Sequence, residues 1–141
     1  MTEEENKFMM EALKEAHKAF DKDEIPIGAV VVLNGKIIAR AHNQVELLRD
    51  ATAHAEMLAI TSGCAYLQSK YLEDCTMYVT LEPCNMCLAA ANLAHIRKVR
   101  FGAFDSKVDN KAFYKQIELK GGFLEEECSE LLKLFFLQKR L

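Results

Sequence analysis

His54 and Glu56 stand two apart in the stretch TAHAE (residues 52–56), and Met57, Leu58, Ala59 and Ile60 follow directly. Acidic side chains are seldom fully buried without a partner, so a carboxylate in this setting needs an electrostatic reason. A second cluster, Pro83-Cys84-Asn85-Met86-Cys87, lies downstream. Its cysteines are three apart, so one helical turn can direct both sulfurs the same way. A helix N-terminus favours the thiolate, the form that binds metal. With the imidazole of His54 the set becomes Cys2His, which is found in catalytic zinc sites whose fourth position holds water. Two thiolates and an imidazole favour zinc over magnesium or calcium. Residues two apart on a helix diverge, so Glu56 is expected beside the open position and not on the metal. There it can take a proton from a zinc-activated water and pass it to a substrate.

Each part alone has a plainer reading. A CxxC pair can be a redox pair or half of a structural zinc site, and an HxE triplet arises by chance. A structural zinc site normally wants four ligands. Cys64, Cys75 and Cys128 each lie in an apolar stretch and are expected in the core. An odd total of five cysteines argues against a disulfide framework. Of the other histidines, His17 is expected on an exposed helix face and His42 as a structural hydrogen-bonding residue. The pattern gives His95 no role.

The elements that must position these residues are legible in the periodicity. Phe8, Met9, Ala12, Leu13, Ala16, Ala19 and Phe20 recur at helical spacing. IGAVVVL (27–33) and KIIARAH (36–42) are strands joined by Asn34-Gly35, a strong hairpin signal. A helix is expected from about Thr52 to Ser62, with the Thr52 hydroxyl as its N-cap. TMYVTL (76–81) reads as a strand, after which Pro83 opens a helix through CNMCLAAANLA. KVRFGA (98–103) is a further strand, and the pattern from Asp105 to Leu119 is weak. Gly121-Gly122 marks a turn before a terminal helix whose acidic start and basic end suit the helix dipole. Strands alternating with helices after a hairpin predict an α/β fold, with about five strands in a mixed sheet covered on both faces. Strand-to-helix junctions gather along one edge of such a sheet, so the two motifs can meet.

The chain has 141 residues with no repeat or linker signal, which predicts one domain over 1–141. Its apolar runs are far shorter than the roughly 20 residues of a membrane span. The acidic start MTEEENKFMM lacks the blocks of a signal peptide, so a soluble, cytoplasmic protein is expected. A formal charge of −3 argues against wholesale wrapping by nucleic acid but leaves room for a local basic patch.

HxE followed by PCxxC is the signature of the zinc-dependent base deaminases. DEIPIGAVVV, ARAHN, TAHAEMLAI, MYVTLEPCNMC, FGAFD and GGFLEEECSELLKLFF together resemble the bacterial tRNA adenosine deaminases, from about Phe8 to Arg140. The resemblance implies a cytidine-deaminase-like three-layer α/β/α fold with a mixed five-stranded sheet, a homodimer, and one zinc ion per subunit. It also implies conversion of adenosine to inosine at the wobble position of a tRNA anticodon loop, with release of ammonia. His54, Cys84 and Cys87 match the family's zinc ligands, and Glu56 matches its proton shuttle. Asn43 matches the asparagine that contacts the flipped-out base, and Ile25 and Ile27 match apolar positions of the base pocket. Asp105 matches an aspartate near the RNA backbone.

The chain departs from the family pattern in four places. Ala51 stands where proline is usual, and Ala94-His95 where a serine-arginine pair is common. Phe104 replaces a frequent basic residue. Ser106 to Lys120 is short and lacks a glycine-rich segment. Arg97, Lys98, Arg100, Lys133, Lys139 and Arg140 are candidate phosphate contacts, although such residues usually face water. Phe104 is a candidate for stacking on an unpaired base, or else a core residue. Two other readings remain at this stage. One is a deaminase of a free base or nucleoside of guanine or cytosine type, and the other is a structural zinc module or inactive partner subunit. A subunit without catalysis has no need of Glu56.

Overall fold

The computed structural model describes residues 1–140. Helix α1 (Glu3–Asp21) opens with a capping box, in which the Thr2 hydroxyl accepts the Glu5 N–H and the Glu5 carboxylate accepts the Thr2 N–H. Strands β1 (Gly28–Leu33) and β2 (Lys36–His42) follow. They are joined through Asn34 and Gly35 at φ 50° and 76°, the positive values that the hairpin signal requires. Next come the short helix α2 (Val45–Leu48), helix α3 (Ala55–Leu67), strand β3 (Cys75–Leu81), helix α4 (Asn85–Leu93) and strand β4 (Lys98–Ala103). A single 3-10 turn (Lys111–Phe113), strand β5 (Glu118–Lys120) and helix α5 (Glu125–Lys139) complete the chain. Neither α2 nor β5 has a signal in the sequence, since each is only a turn of helix or three residues long.

The strands form one mixed sheet in the order β2-β1-β3-β4-β5. β1 runs antiparallel to β2 and β3, whereas β3, β4 and β5 are parallel. The inner strands are apolar almost throughout because both faces are covered. Ala29, Val31, Met77 and Val79 point to a core shared with Ala55 and Ala59 of α3 and Leu88 and Ala91 of α4. Val30, Val32 and Tyr78 point to the opposite core, with Phe8, Met9 and Leu13 of α1 and Cys128 and Leu131 of α5. This is the three-layer α/β/α arrangement expected from the sequence. Among the described residues no helix is long and apolar enough to cross a membrane.

Three expectations change. Helix α3 starts at Ala55, so His54 takes the N-cap position, and Thr52 instead donates its N–H and hydroxyl to Asp50 Oδ1. Arg100 is buried and is no surface cation; it donates to the Glu118 carboxylate at 2.7 Å and to the Glu118 carbonyl at 3.0 Å, tying β4 to β5. Cys75 and Cys128 are buried as expected, but Cys64 is only partly so.

At Gly28 the sheet touches α1 backbone to backbone. A Cβ there would lie 2.0 Å from the Ala12 carbonyl oxygen and 2.5 Å from the Ala16 nitrogen. Neither atom can move without bending the helix. Gly28→Ala is therefore expected to cost roughly 3 kcal/mol, read as a lower urea midpoint at unchanged slope.

Candidate metal centre and active site

The two motifs meet at the ends of two helices. His54 is the N-cap residue of α3 and Cys84 that of α4, both with extended backbone (φ −70°, ψ 152° and φ −71°, ψ 169°). Neither side chain caps its own helix, because both turn toward each other. His54 Nδ1 lies 3.7 Å from Cys84 Sγ and 3.6 Å from Cys87 Sγ. All three donor atoms fall within 4.8 Å of one another. A tetrahedral ion with Zn–S and Zn–N bonds of ordinary length requires a sulfur–nitrogen separation of roughly 3.6 Å. The donor set and its dimensions therefore fit zinc.

Electrostatics points the same way. Burial pushes the Cys87 thiol above its ordinary range, and Glu56 and Cys84 beside it push it further. Burial also raises the Glu56 carboxyl, while its own backbone N–H, His54 and Cys87 pull it back. A divalent cation reverses this balance, since a coordinating thiol is deprotonated outright. The positive ends of α3 and α4 converge on the same spot and favour anionic sulfur and carboxylate. Glu56 is buried, and its Oε1 has no hydrogen-bond partner among the described residues. Such an orphaned acceptor is costly unless an absent group satisfies it.

Asn43 completes the scaffold. It is buried, and its Oδ1 accepts the Ala55 N–H at 2.7 Å, capping α3 in place of His54. Its Nδ2 remains to donate. Ile25, Ile27, Asn43 and His54 line one cavity of about 800 Å³, the assembly expected of them. Ala51, Phe136 and Lys139 share this cavity. Glu56 and the cysteines lie behind it, and His54 alone of the donor set reaches its wall. Asp105 does not line the cavity. It is half-buried at the end of β4, where its N–H donates to Glu82 Oε1 and its Oδ1 accepts the Lys107 N–H.

Two acidic residues escaped the sequence reading. Glu24, 3 % exposed, accepts the Glu46 and Leu47 N–H groups at 3.0 and 2.8 Å, fixing α2 at the cavity rim. Glu82 accepts the Asp105 N–H at 2.9 Å and Asn110 Nδ2 at 2.6 Å, joining the PCxxC motif to the loop after β4. Their signal was position: each is an acid in a motif stretch, DEIP or LEPC, Glu24 two residues before Pro26 and Glu82 directly before Pro83. Among the other expected residues, Phe104 is 60 % exposed and so is no core residue. Arg97 and Lys98 sit at the start of β4, about five residues or roughly 16 Å from its site end. His42 pairs with the Glu15 carboxylate at 3.6 Å, in keeping with a structural role. His95 stacks on Tyr71 with ring centroids 3.9 Å apart.

Since burial keeps Cys87 protonated in the metal-free chain, zinc uptake must displace its proton. Zinc affinity is expected to rise with pH, measured by competition with a chelator. Cys84→Ala and Cys87→Ala should each lose most of about one zinc per chain by elemental analysis; unchanged content in both would exclude this donor set.

Residues 2–103 match the family model for the cytidine and deoxycytidylate deaminase zinc-binding region. The tRNA-specific adenosine deaminase of Bacillus subtilis (strain 168) is 49% identical over 150 aligned positions, covering 99% of this chain and 92% of that protein. A solved structure from work on A-to-I editing by tRNA:A34 deaminases superposes with a TM-score of 0.85 at 42% identity, covering 89% of this chain and 99% of that one. A guanine deaminase from Bacillus subtilis superposes with a TM-score of 0.69 at 36% identity, covering 82% and 76%. The chain belongs to the zinc-binding cytidine and deoxycytidylate deaminase family, on its tRNA-specific adenosine deaminase branch.

Proposed function

We propose that this protein hydrolyses the 6-amino group of adenosine at the wobble position of a tRNA anticodon, giving inosine and ammonia. The observation that carries the chemistry is the buried, partnerless Glu56 Oε1 beside a donor triangle of zinc dimensions. The choice of substrate is supported by the identity to tRNA-specific adenosine deaminases over nearly the whole chain. The reading treats residues 1–141 as one deaminase domain, cytoplasmic and homodimeric. The largely exposed Leu93 at the end of α4 is an apolar contact available to a second subunit.

In this reading His54, Cys84 and Cys87 are the metal ligands. Zinc held by them supplies Lewis acidity, lowering the pKa of a bound water to roughly 7. Ile25 and Ile27 hold the flat faces of the extruded base, and Asn43 Nδ2 donates to an acceptor on it. Because the Asn43 Oδ1 is held by the Ala55 N–H, the amide cannot turn round, and it presents a donor only. Glu56 Oε1 accepts the proton of the attacking water as the new C6–O bond forms. It then delivers that proton to the ring nitrogen. Glu56 then takes the remaining O–H proton of the oxygen added at C6 and passes it to the amine, the C6–N bond breaks as the C6=O bond forms, and ammonia leaves. Burial raises the Glu56 carboxyl in the metal-free chain, and a carboxyl held away from water is suited to accept a proton and give it back. Asp105, Lys133, Lys139 and Arg140 are the proposed contacts to the RNA backbone.

A free-base deaminase is the second reading, supported by the similarity to a guanine deaminase at lower identity and lower TM-score. Purified zinc-loaded protein is expected to form inosine in a stem-loop carrying adenosine at the wobble position, read by sequencing. Turnover of guanine or cytosine with none on any such stem-loop would replace the first reading with the second. Glu56→Ala should keep about one zinc per chain and lose at least roughly 100-fold in turnover.

A further inference from the structure

The ladder between β1 and β3 stops one residue short of the site. Its last pair is Ala29 opposite Val79, although β1 begins at Gly28. The Gly28 N–H donates instead to the Thr80 hydroxyl at 3.1 Å. Thr80 is 1 % exposed and follows Tyr78 and Val79, both buried. A hydroxyl among apolar neighbours costs stability unless it is bonded, and valine suits such a strand position as well. Packing alone does not account for a threonine there.

What the bond holds is the wall of the base cavity. Ile27 lines that cavity, and the peptide joining it to Gly28 is secured at both ends. Its N–H is the one that Thr80 accepts, and its carbonyl accepts the Asn43 N–H at 3.1 Å. The Ile27 N–H in turn donates to the Ile25 carbonyl at 2.8 Å, a tight turn that sets the second isoleucine of the wall. On the α1 side Gly28 lies against the Ala12 carbonyl and the Ala16 nitrogen, so the peptide cannot retreat that way. Thr80 belongs to the strand that leads into Pro83 and Cys84, so one hydroxyl ties the apolar wall to the segment carrying the metal ligands.

We infer that Thr80 is a positioning residue for the base, its hydroxyl fixing the Ile27–Gly28 peptide and through it the Ile25 and Ile27 side chains against the ring. The inference rests on the deaminase reading above and deepens it. Without the hydroxyl, the buried Gly28 N–H has lost its acceptor, and the backbone shifts to recover one. Ile25 and Ile27 move with it, while the Asn43 amide stays on the Ala55 N–H. The two sides of the base site then lose register. His54, Cys84 and Cys87 are held by α3 and α4 and do not depend on this bond. The loss therefore falls on binding of the base and not on the bond-breaking step.

The test is steady-state kinetics of zinc-loaded wild-type protein, Thr80→Val, Thr80→Cys and Thr80→Ser on an anticodon stem-loop, with zinc content and thermal midpoint measured in parallel. Valine keeps the shape and removes the acceptor, and should raise KM about tenfold at unchanged kcat and zinc content. Serine keeps the acceptor and should hold KM within about twofold of the wild type. Cysteine matches serine in shape with a weaker acceptor, and should lie at least about threefold above it. The proposal is wrong if KM of Thr80→Val, or of Thr80→Cys where the valine variant does not fold, stays within about twofold of Thr80→Ser. It is equally wrong if the thermal midpoint and kcat fall together at unchanged KM, because Thr80 would then only stabilise the sheet. A wild type that turns over guanine and no stem-loop overturns the wobble reading alone, and the same series is then read on guanine, whose ring enters the same cavity. A wild type inactive on both overturns the deaminase reading, and this proposal with it.

Discussion

Three donor atoms within 4.8 Å of each other, one from His54 and two from cysteines 30 and 33 residues further along the chain, are the constraint on which the rest depends. They meet only if α3 and α4 begin at the same point above the sheet. That in turn requires β1 and β3 to be neighbours, with Ala29 opposite Val79, so that both helices pack on one face. The burial of Ala55, Ala59, Leu88 and Ala91 to near zero exposure lets the two helices lie close to the strands. The hydrophobic core thus sets the spacing of the polar centre. In return, the centre buries groups that a core alone would reject.

Supporting contacts are divided among residues that never meet the metal. Asn43 satisfies the first backbone donor of α3, which frees His54 to turn inward. Glu24 does the same for α2 at the rim, and Glu82 for the loop beyond β4. Each is a buried or half-buried acceptor matched to backbone N–H groups that regular structure leaves unpaired. The segment after β4 is held by Asn110 on Glu82 and by Ile117, which is 2 % exposed in the core under α4.

Much of this was legible in the sequence because it depends on local pattern. The short apolar, β-branched runs around AVVV and MYV, the Asn34-Gly35 turn and the helical spacing from Phe8 to Phe20 all predict the elements observed. Donor chemistry and spacing pointed to His54, Cys84 and Cys87 before any geometry was known. What the pattern could not show depends on contacts far apart in the chain. Arg100 looks like a surface cation until β5 and α1 are placed over it, and Glu5 and Glu118 then hold it at the sheet edge. Strand β5 is three residues long and is defined by its pairing to β4, not by its own propensity. The sequence left Phe104 open between a stacking residue and a core residue; the strand ends at Ala103 and the next side chain is 60 % exposed.

Helix α5 has a place in this architecture that its composition does not advertise. It supplies no metal ligand, yet Phe136 and Lys139 line both the base cavity and a groove beside it. Residues 54–87 carry the metal ligands and Glu56, whereas the last helix of the chain shares the cavity wall with α2 and the segment before β1. A substitution in α5 can alter the cavity wall without touching a metal ligand or Glu56.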